Sequence, residues 1–344
     1  MTPGASFSAL AHRLRRSIVA VAQGVRCGLS ANSGAKFLAR RAATGAWRRQ
    51  PLSSRLIGVV DRHLPVLFPL PAVCLVVGLV VYPLIYTLIL STRSYDLGFR
   101  SYSFVGLAHY ATLLTSQRFW DAFARTFYFT VLSVAGSIIL GMIMALILNR
   151  EFRGARWART AFLLPMVATP VATSLVWMMM FNPTLGVLNY LLEAVGLPPS
   201  VWVADPQLAI PSIVLVDVWH FAPFAMLILL AGLRSLPSEP FESAMMDGAS
   251  RWQIFWRITV PLLQPVLVVV LIFRTIDSLK VFDIIWVITS GGPGFSSETL
   301  YVYAYNQAFK YLDIGYGSAV IVVFTAIVAG ASVVWIRARE RVWT

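Results

Sequence analysis

The 344 residues are 58% hydrophobic and 12% charged, with a mean hydropathy of +0.73. Soluble domains carry about a quarter charged residues, so a water-facing globule and a disordered chain are both excluded and a multi-pass membrane protein is expected. Two cysteines, Cys27 and Cys74, exclude a disulfide framework and a cysteine-rich metal site.

The formal charge of +13 is concentrated at the N-terminus, where residues 1–63 hold 11 Lys/Arg against one acid, Asp61, a net of +10. No aromatic platform is interleaved with these cations, which disfavours a nucleic-acid surface. No short apolar core precedes a cleavage site there, which disfavours a secretory signal. A basic cytoplasmic segment facing anionic lipid is expected. Its Arg, Ala and Ser richness is equally that of an organelle transit peptide, and a start codon placed too early is a third reading.

A helix crosses the hydrocarbon core in about 20 apolar residues, and six segments qualify. The first, 66–90, is uncharged and contains Pro69, Pro71 and Pro83 as expected kinks; the second, 126–148, is also uncharged. The third, 160–181, is interrupted by Pro165 and Pro170; its Met166, Thr169 and Trp177-Met178-Met179-Met180 read first as packing, since thioethers fill irregular gaps. The fourth, 210–233, carries Asp217 and His220 with Pro223 one turn on. The fifth, 262–288, is the most polar and holds Arg274, Asp277, Lys280 and Asp283. The sixth, 314–336, is followed by Arg337, Arg339 and Arg341, in a basic tail of residues 337–344. Between the second and third spans stand Arg150, Arg153, Arg156 and Arg159, whereas 182–209 has no Lys or Arg. The positive-inside rule therefore puts both termini in the cytoplasm, with Arg93, Arg100 and Arg118 of the first outer loop as the dissenting charges.

The inner connection between spans four and five is long, running over 236–261. Ser238 is placed to cap a short helix, with Glu239 and Glu242 favourable at its positive end. Gly248 suits a left-handed stop, and Ser250-Arg251-Trp252-Gln253 fits a capping box that starts a second helix. Pro261 and Pro265 mark an expected bend into the fifth span. So short a helix is marginal alone; it either lies on the membrane surface or fits a groove on a cytoplasmic partner.

Glu242, Ala244, Asp247, Gly248, Ala249, Phe255, Ile258, Pro261 and Pro265 resemble the EAA loop of binding-protein-dependent ABC import permeases, with Ser243 in place of the usual alanine. Phe282-Asp283, Thr289-Ser290-Gly291-Gly292-Pro293, Glu298-Thr299-Leu300 and Ala308-Phe309 are similar to the carbohydrate-uptake branch that includes the maltose and glycerol-phosphate permeases. The resemblance spans roughly residues 64–336 and implies an all-α membrane fold of six transmembrane helices, of the maltose-permease type, with a cytoplasmic coupling helix at 238–249 and an EAA loop over 238–261. It implies a multi-pass protein of a bacterial or archaeal cell (inner) membrane that works with a second permease, a dimer of ATP-binding subunits and an extracytoplasmic substrate-binding protein. Glu242, Ala244, Met245, Asp247, Gly248 and Ala249 would then meet the ATPase. This chain has no G-x-x-x-x-G-K-[ST] phosphate loop, so it is not expected to be the enzyme, and ATP and Mg belong to the partner.

Ionisable groups inside a bilayer survive by pairing or by facing a wet cavity. Arg274, Asp277, Lys280 and Asp283 recur every three residues with alternating sign, allowing Arg274–Asp277 and Lys280–Asp283 pairs that either fix the fifth helix or bind substrate. Asp217 and His220 are placed to hydrogen-bond each other, and the scattered histidines make no metal site. The resemblance carries the sugar contacts onto Asp217, His220, Phe221, Phe224, Arg274, Asp277 and Lys280, where rings would stack on sugar C–H faces and carboxylates accept hydroxyl protons. Two cations against three anions in spans four and five suit a neutral sugar or oligosaccharide better than a phosphate, although a partner permease could add charge. An ion-coupled secondary transporter using these carboxylates is the competing class; a membrane enzyme lacks any nucleophile–base or metal motif.

Overall fold

The computed structural model describes residues 68–96, 101–150 and 152–343. The basic segment 1–63, the opening of the first span and Arg100 lie outside the described residues. Two compact units are distinguished, Met1–Leu75 and Val76–Thr344. Of the first, only residues 68–75 are described, and they open helix α1 (Leu70–Leu90).

In chain order, α1 is followed by a hairpin of β1 (Arg93–Asp96) and β2 (Ser101–Phe104), antiparallel with Arg93 opposite Phe104. Helices α2 (Ala108–Thr115), α3 (Gln117–Leu148), α4 (Ala155–Val167), α5 (Pro170–Met180) and α6 (Val187–Ala194) come next. Then follow α7 (Ala209–Ser235), α8 (Glu239–Met246), α9 (Arg251–Leu279), α10 (Asp283–Thr289), α11 (Leu300–Tyr305) and α12 (Ile314–Trp343). Five of these, α1, α3, α7, α9 and α12, are long and apolar enough to cross a membrane, and α4 with α5 makes a sixth if the bent pair is one span.

That pair turns by 95°. Pro165 is absorbed inside α4, and the break falls at Ala168 and Thr169, both extended. The residue before a proline is pushed out of the α region, and Thr169 then caps α5 by accepting the Ala172 N–H. Arg156 and Arg159, expected in a loop, stand on the first turns of α4.

The prolines of the other spans act differently. A proline ring clashes with the carbonyl four residues back and donates nothing. In α1 and α9 a widened π turn, Val77–Val81 and Phe255–Thr259 respectively, ends two residues or fewer before Pro83 and Pro261. The ladder shifts register there, and α9 continues unbroken from Arg251 to Leu279 instead of bending into a separate span. Its far end corrects a second expectation. The fifth span stops at Leu279, and Lys280 and Asp283 belong to the break and to α10.

The bundle is centred on α3 and α7. Along α3 the small and hydroxyl residues Thr126, Thr130, Ser133, Ser137 and Gly141 recur at spacings of three and four, and all are buried. A Cβ on Gly141 would lie 2.7 Å from Ala225 Cβ and 2.9 Å from the Met226 backbone nitrogen, so glycine permits the closest approach of the two helices. Around this seam Met142, Leu148, Met226, Leu229 and Leu263 form one apolar cluster, and Phe129, Phe181, Ile213, Ile284 and Ile285 form another nearer α10.

The connection after α7 has the expected stops but not the expected start. Ser238 precedes α8 in helical conformation and its side chain makes no cap hydrogen bond. Gly248 is left-handed at φ +75°, and Ser250 and Gln253 close a reciprocal capping box at the start of α9.

Candidate functional site

Asp217 and His220 lie mid-way along α7 and Arg274 near the end of α9, all three buried. Arg274 Nη2 donates to Asp217 Oδ2 at 2.5 Å and to Ser133 Oγ at 3.0 Å, and the Ser133 hydroxyl donates to the same carboxylate oxygen. Three spans are thus tied by one ion pair and one hydroxyl. His220 does not bond Asp217; its Nδ1 faces Thr173 Oγ1 of α5 at 3.4 Å.

Arg274 also reaches outward. Nη1 donates to Asp277 Oδ2 at 2.9 Å, and the guanidinium carbon stands 4.6 Å above the Phe221 ring centre. The expected Arg274–Asp277 pair is therefore formed, with Arg274 1% exposed and Asp277 51%. No Lys280–Asp283 ion pair forms, because the helix ends between them and the three-residue spacing no longer places them on one flank.

Asp277 opens into a pocket of about 300 Å³ that Phe221, Lys280, Phe282, Asp283 and Tyr301 also line. Two of its rings meet, Phe282 against Tyr301 at 5.2 Å, and Phe282 is backed by Trp286, stacked at 5.6 Å. Of the residues singled out from sequence, Phe221, Asp277, Lys280 and Asp283 line this pocket. Asp217, His220 and Arg274 sit behind its wall, and Phe224 packs edge-on against Phe273. Sequence reasoning missed Ser133, Thr173, Phe282 and Tyr301 as neighbours of the site. The signal for Ser133 was present in the hydroxyl stripe of α3.

Groups of three or more His, Cys, Asp or Glu able to hold a metal are absent among the described residues. The pocket offers carboxylate acceptors, an ammonium donor and aromatic faces.

Residues 137–339, more than half of the chain, match the family described as the binding-protein-dependent transport system inner membrane component. The chain is an ABC importer permease. Its relatives include the trehalose/maltose transport system permease protein MalF of Thermococcus litoralis, 36% identical over 80% of this chain and 94% of the relative. The trehalose transport system permease protein SugA of Mycobacterium tuberculosis is 33% identical over 87% of this chain and 94% of its own. A bacterial alginate ABC transporter, solved with a periplasmic protein bound to an alginate pentasaccharide, has the same fold, with a TM-score of 0.72 at 22% identity over 84% of this chain and 98% of that chain. In this permease the family match takes in α8, Asp217, His220 and Arg274, and it begins after Ser133, the hairpin and α2.

Proposed function

We propose that this permease passes a sugar or oligosaccharide across the cell membrane by alternating access, with the pocket beside Asp277 as part of the path. The observation that carries the reading is the pairing of aromatic faces, Phe221, Phe282 and Tyr301, with Asp277 and Lys280 in one 300 Å³ pocket. Sugar-transport relatives at 33–36% identity support it. A second permease subunit completes the channel, an extracytoplasmic binding protein delivers the sugar, and a separate ATPase dimer binds and hydrolyses Mg-ATP. The basic N-terminal segment, the arginines after α3 and the basic C-terminus support cytoplasmic termini.

In this reading α8 is the coupling helix. It presents Met246, 88% exposed, and Met245 to a partner, and thioethers suit an adaptable groove. Glu242 stands in its first turn, and Ala244, Asp247, Gly248 and Ala249 complete the contact and the turn back to α9. A Cβ on Gly248 meets nothing within 4 Å, so the φ of +75° is its constraint. Gly248→Val adds about 1–2 kcal/mol of left-handed strain and is expected to abolish uptake while the binding protein still loads with sugar. Normal uptake by that variant would remove α8 from the coupling path.

The deciding experiment is uptake by proteoliposomes containing the co-purified complex. Strict dependence on ATP at the ATPase face and on sugar-loaded binding protein is expected. Uptake that needs neither, and collapses with a protonophore, would favour the ion-coupled alternative.

A further inference from the structure

The arginine-rich end of the bundle carries a second cleft that the transport path does not use. Between α3 and the start of α9 runs a groove of about 870 Å³, walled along its length by Ile139, Ile143, Leu146 and Leu267. That volume lies in the range of about 300–1,000 Å³ typical of clefts that hold ligands. Its floor is apolar apart from Thr259, whose hydroxyl donates to the Ile254 carbonyl, and its mouth is not. Asn149 and Arg150 from the end of α3 and Arg251 from the first turn of α9 close it on one side, with Trp252 and Trp256 beside them.

Both arginines are solvent-exposed, and neither makes an ion pair with a carboxylate among the described residues. Among the described residues, no acidic side chain lines the groove. Arg251 also adds its charge to the N-terminal end of a 29-residue helix, where unsatisfied N–H groups favour an anion. Trp252 and Trp256 are 70% and 53% exposed yet packed edge-to-face at 5.6 Å. Indoles so placed mark the boundary between hydrocarbon and headgroups.

We propose that this groove binds an anionic phospholipid, its acyl chains along α3 and its phosphate between Arg150 and Arg251. The complementarity is two-fold. A hydrocarbon tail suits walls with no polar group to satisfy, and only a headgroup of negative charge answers two free guanidiniums at the mouth. Arginine binds phosphate through a planar fork, and basic pockets between spans at the cytoplasmic face favour anionic headgroups. A zwitterionic lipid fills the same walls but meets the arginines with no net charge. The lipid would brace α3 against α9 next to the segment that leads from α8.

The test uses the co-purified complex in phosphatidylcholine nanodiscs doped with either phosphatidylglycerol or phosphatidylcholine carrying a diazirine on one acyl chain. Peptide mapping after illumination reads the adducts on Ile143, Leu146 and Leu267. An about thirtyfold preference for the phosphatidylglycerol probe is expected, the scale of two basic side chains at a membrane surface. R150Q/R251Q should bring the two probes to parity and R150K/R251K should keep most of the preference. Equal labelling by both probes in the wild-type complex would overturn the proposal, as would adducts absent from these residues because a partner permease helix occupies the groove. The wild-type ratio decides the matter even if the glutamine variant fails to fold.

Discussion

Among the described residues two ion pairs hold a buried carboxylate, and they are built for different purposes. At one end Arg118, at the start of α3, forks onto Glu298 with Nε–Oε2 at 2.8 Å and Nη2–Oε1 at 2.7 Å, while Asn306 donates to Oε1 at 2.7 Å. The guanidinium lies 3.8 Å over the Phe295 ring and is flanked by Tyr303 and Tyr311. Both carboxylate oxygens of Glu298 accept hydrogen bonds, and the side chain is fully buried. In the middle of the bundle Arg274 and Asp217 are both buried, but Asp217 Oδ1 and Arg274 Nε make no hydrogen bond among the described residues. One arm of Arg274 leads instead to Asp277, half-exposed at the 300 Å³ pocket. A fully satisfied pair fixes a loop against a helix. A partly satisfied pair with an exposed arm holds three spans and the pocket wall together, and such a cluster is the sort that can rearrange when the spans move.

The largest effect tests whether the two pairs are equal as structure. Arg118→Ala and Arg274→Ala each strand a buried carboxylate, at an expected cost of about 3–5 kcal/mol. Thermal unfolding of the complex should show both. Uptake per folded molecule should survive loss of Arg118 and fail on loss of Arg274. If both variants transport alike, the distinction between the pairs falls.

The next effect separates charge from position. In Asp217→Asn with Arg274→Gln the stranded charge is gone, so the double variant should regain about 2 kcal/mol relative to the sum of the singles, a coupling of the size found for residues in direct contact. Uptake should not return, because Asp277 and Phe221 have lost the guanidinium that holds both. Recovery of stability and uptake together would reduce Arg274 to a packing group. Asp277→Asn makes the complementary change: melting nearly unaltered at a half-exposed position, with the KM for sugar raised about tenfold for one weakened charge-assisted hydrogen bond. A fall in the maximal rate at unchanged KM would place Asp277 outside the binding site.

Much of this could be read from sequence, and the omissions have physical causes. Uncharged runs of 20 or so residues locate spans because hydrocarbon tolerates little else, and the Ser250–Gln253 box is local chemistry that tertiary context leaves alone. The β1–β2 hairpin is not evident from sequence: Arg93-Ser94-Tyr95-Asp96 shows no apolar alternation, and the polar–aromatic alternation of Ser101-Tyr102-Ser103-Phe104 runs for only four residues. Its pairing is a matter of backbone, and α12 lies close enough that a Cβ on Gly315 would stand 2.1 Å from the Arg93 carbonyl oxygen. The Lys280–Asp283 pair was drawn on a helix that stops at Leu279, since spacing rules say nothing once the ladder breaks. The partner of Asp217 was misplaced for the opposite reason. An i,i+3 neighbour, His220, is visible in sequence, whereas Arg274, 57 residues away, is brought near only by the α3–α7–α9 packing.

Ser133→Ala should give the smallest effect and the finest reading of the central cluster. The hydroxyl donates to Asp217 and accepts from Arg274 Nη2 at 3.0 Å, so its loss removes one donor from a carboxylate that keeps its guanidinium. A net hydrogen bond is worth about 1 kcal/mol, and the methyl that remains fits a position already tight enough to be fully buried. The ion pair should persist, with melting lowered by a few degrees and KM nearly constant, because Asp277 and Phe221 keep their contacts with Arg274. A loss as large as that of Arg274→Ala would mean that Ser133 sets the position of the guanidinium. The central cluster would then be as rigidly specified as the Glu298 site, and the contrast between the two pairs would lie in their neighbours alone.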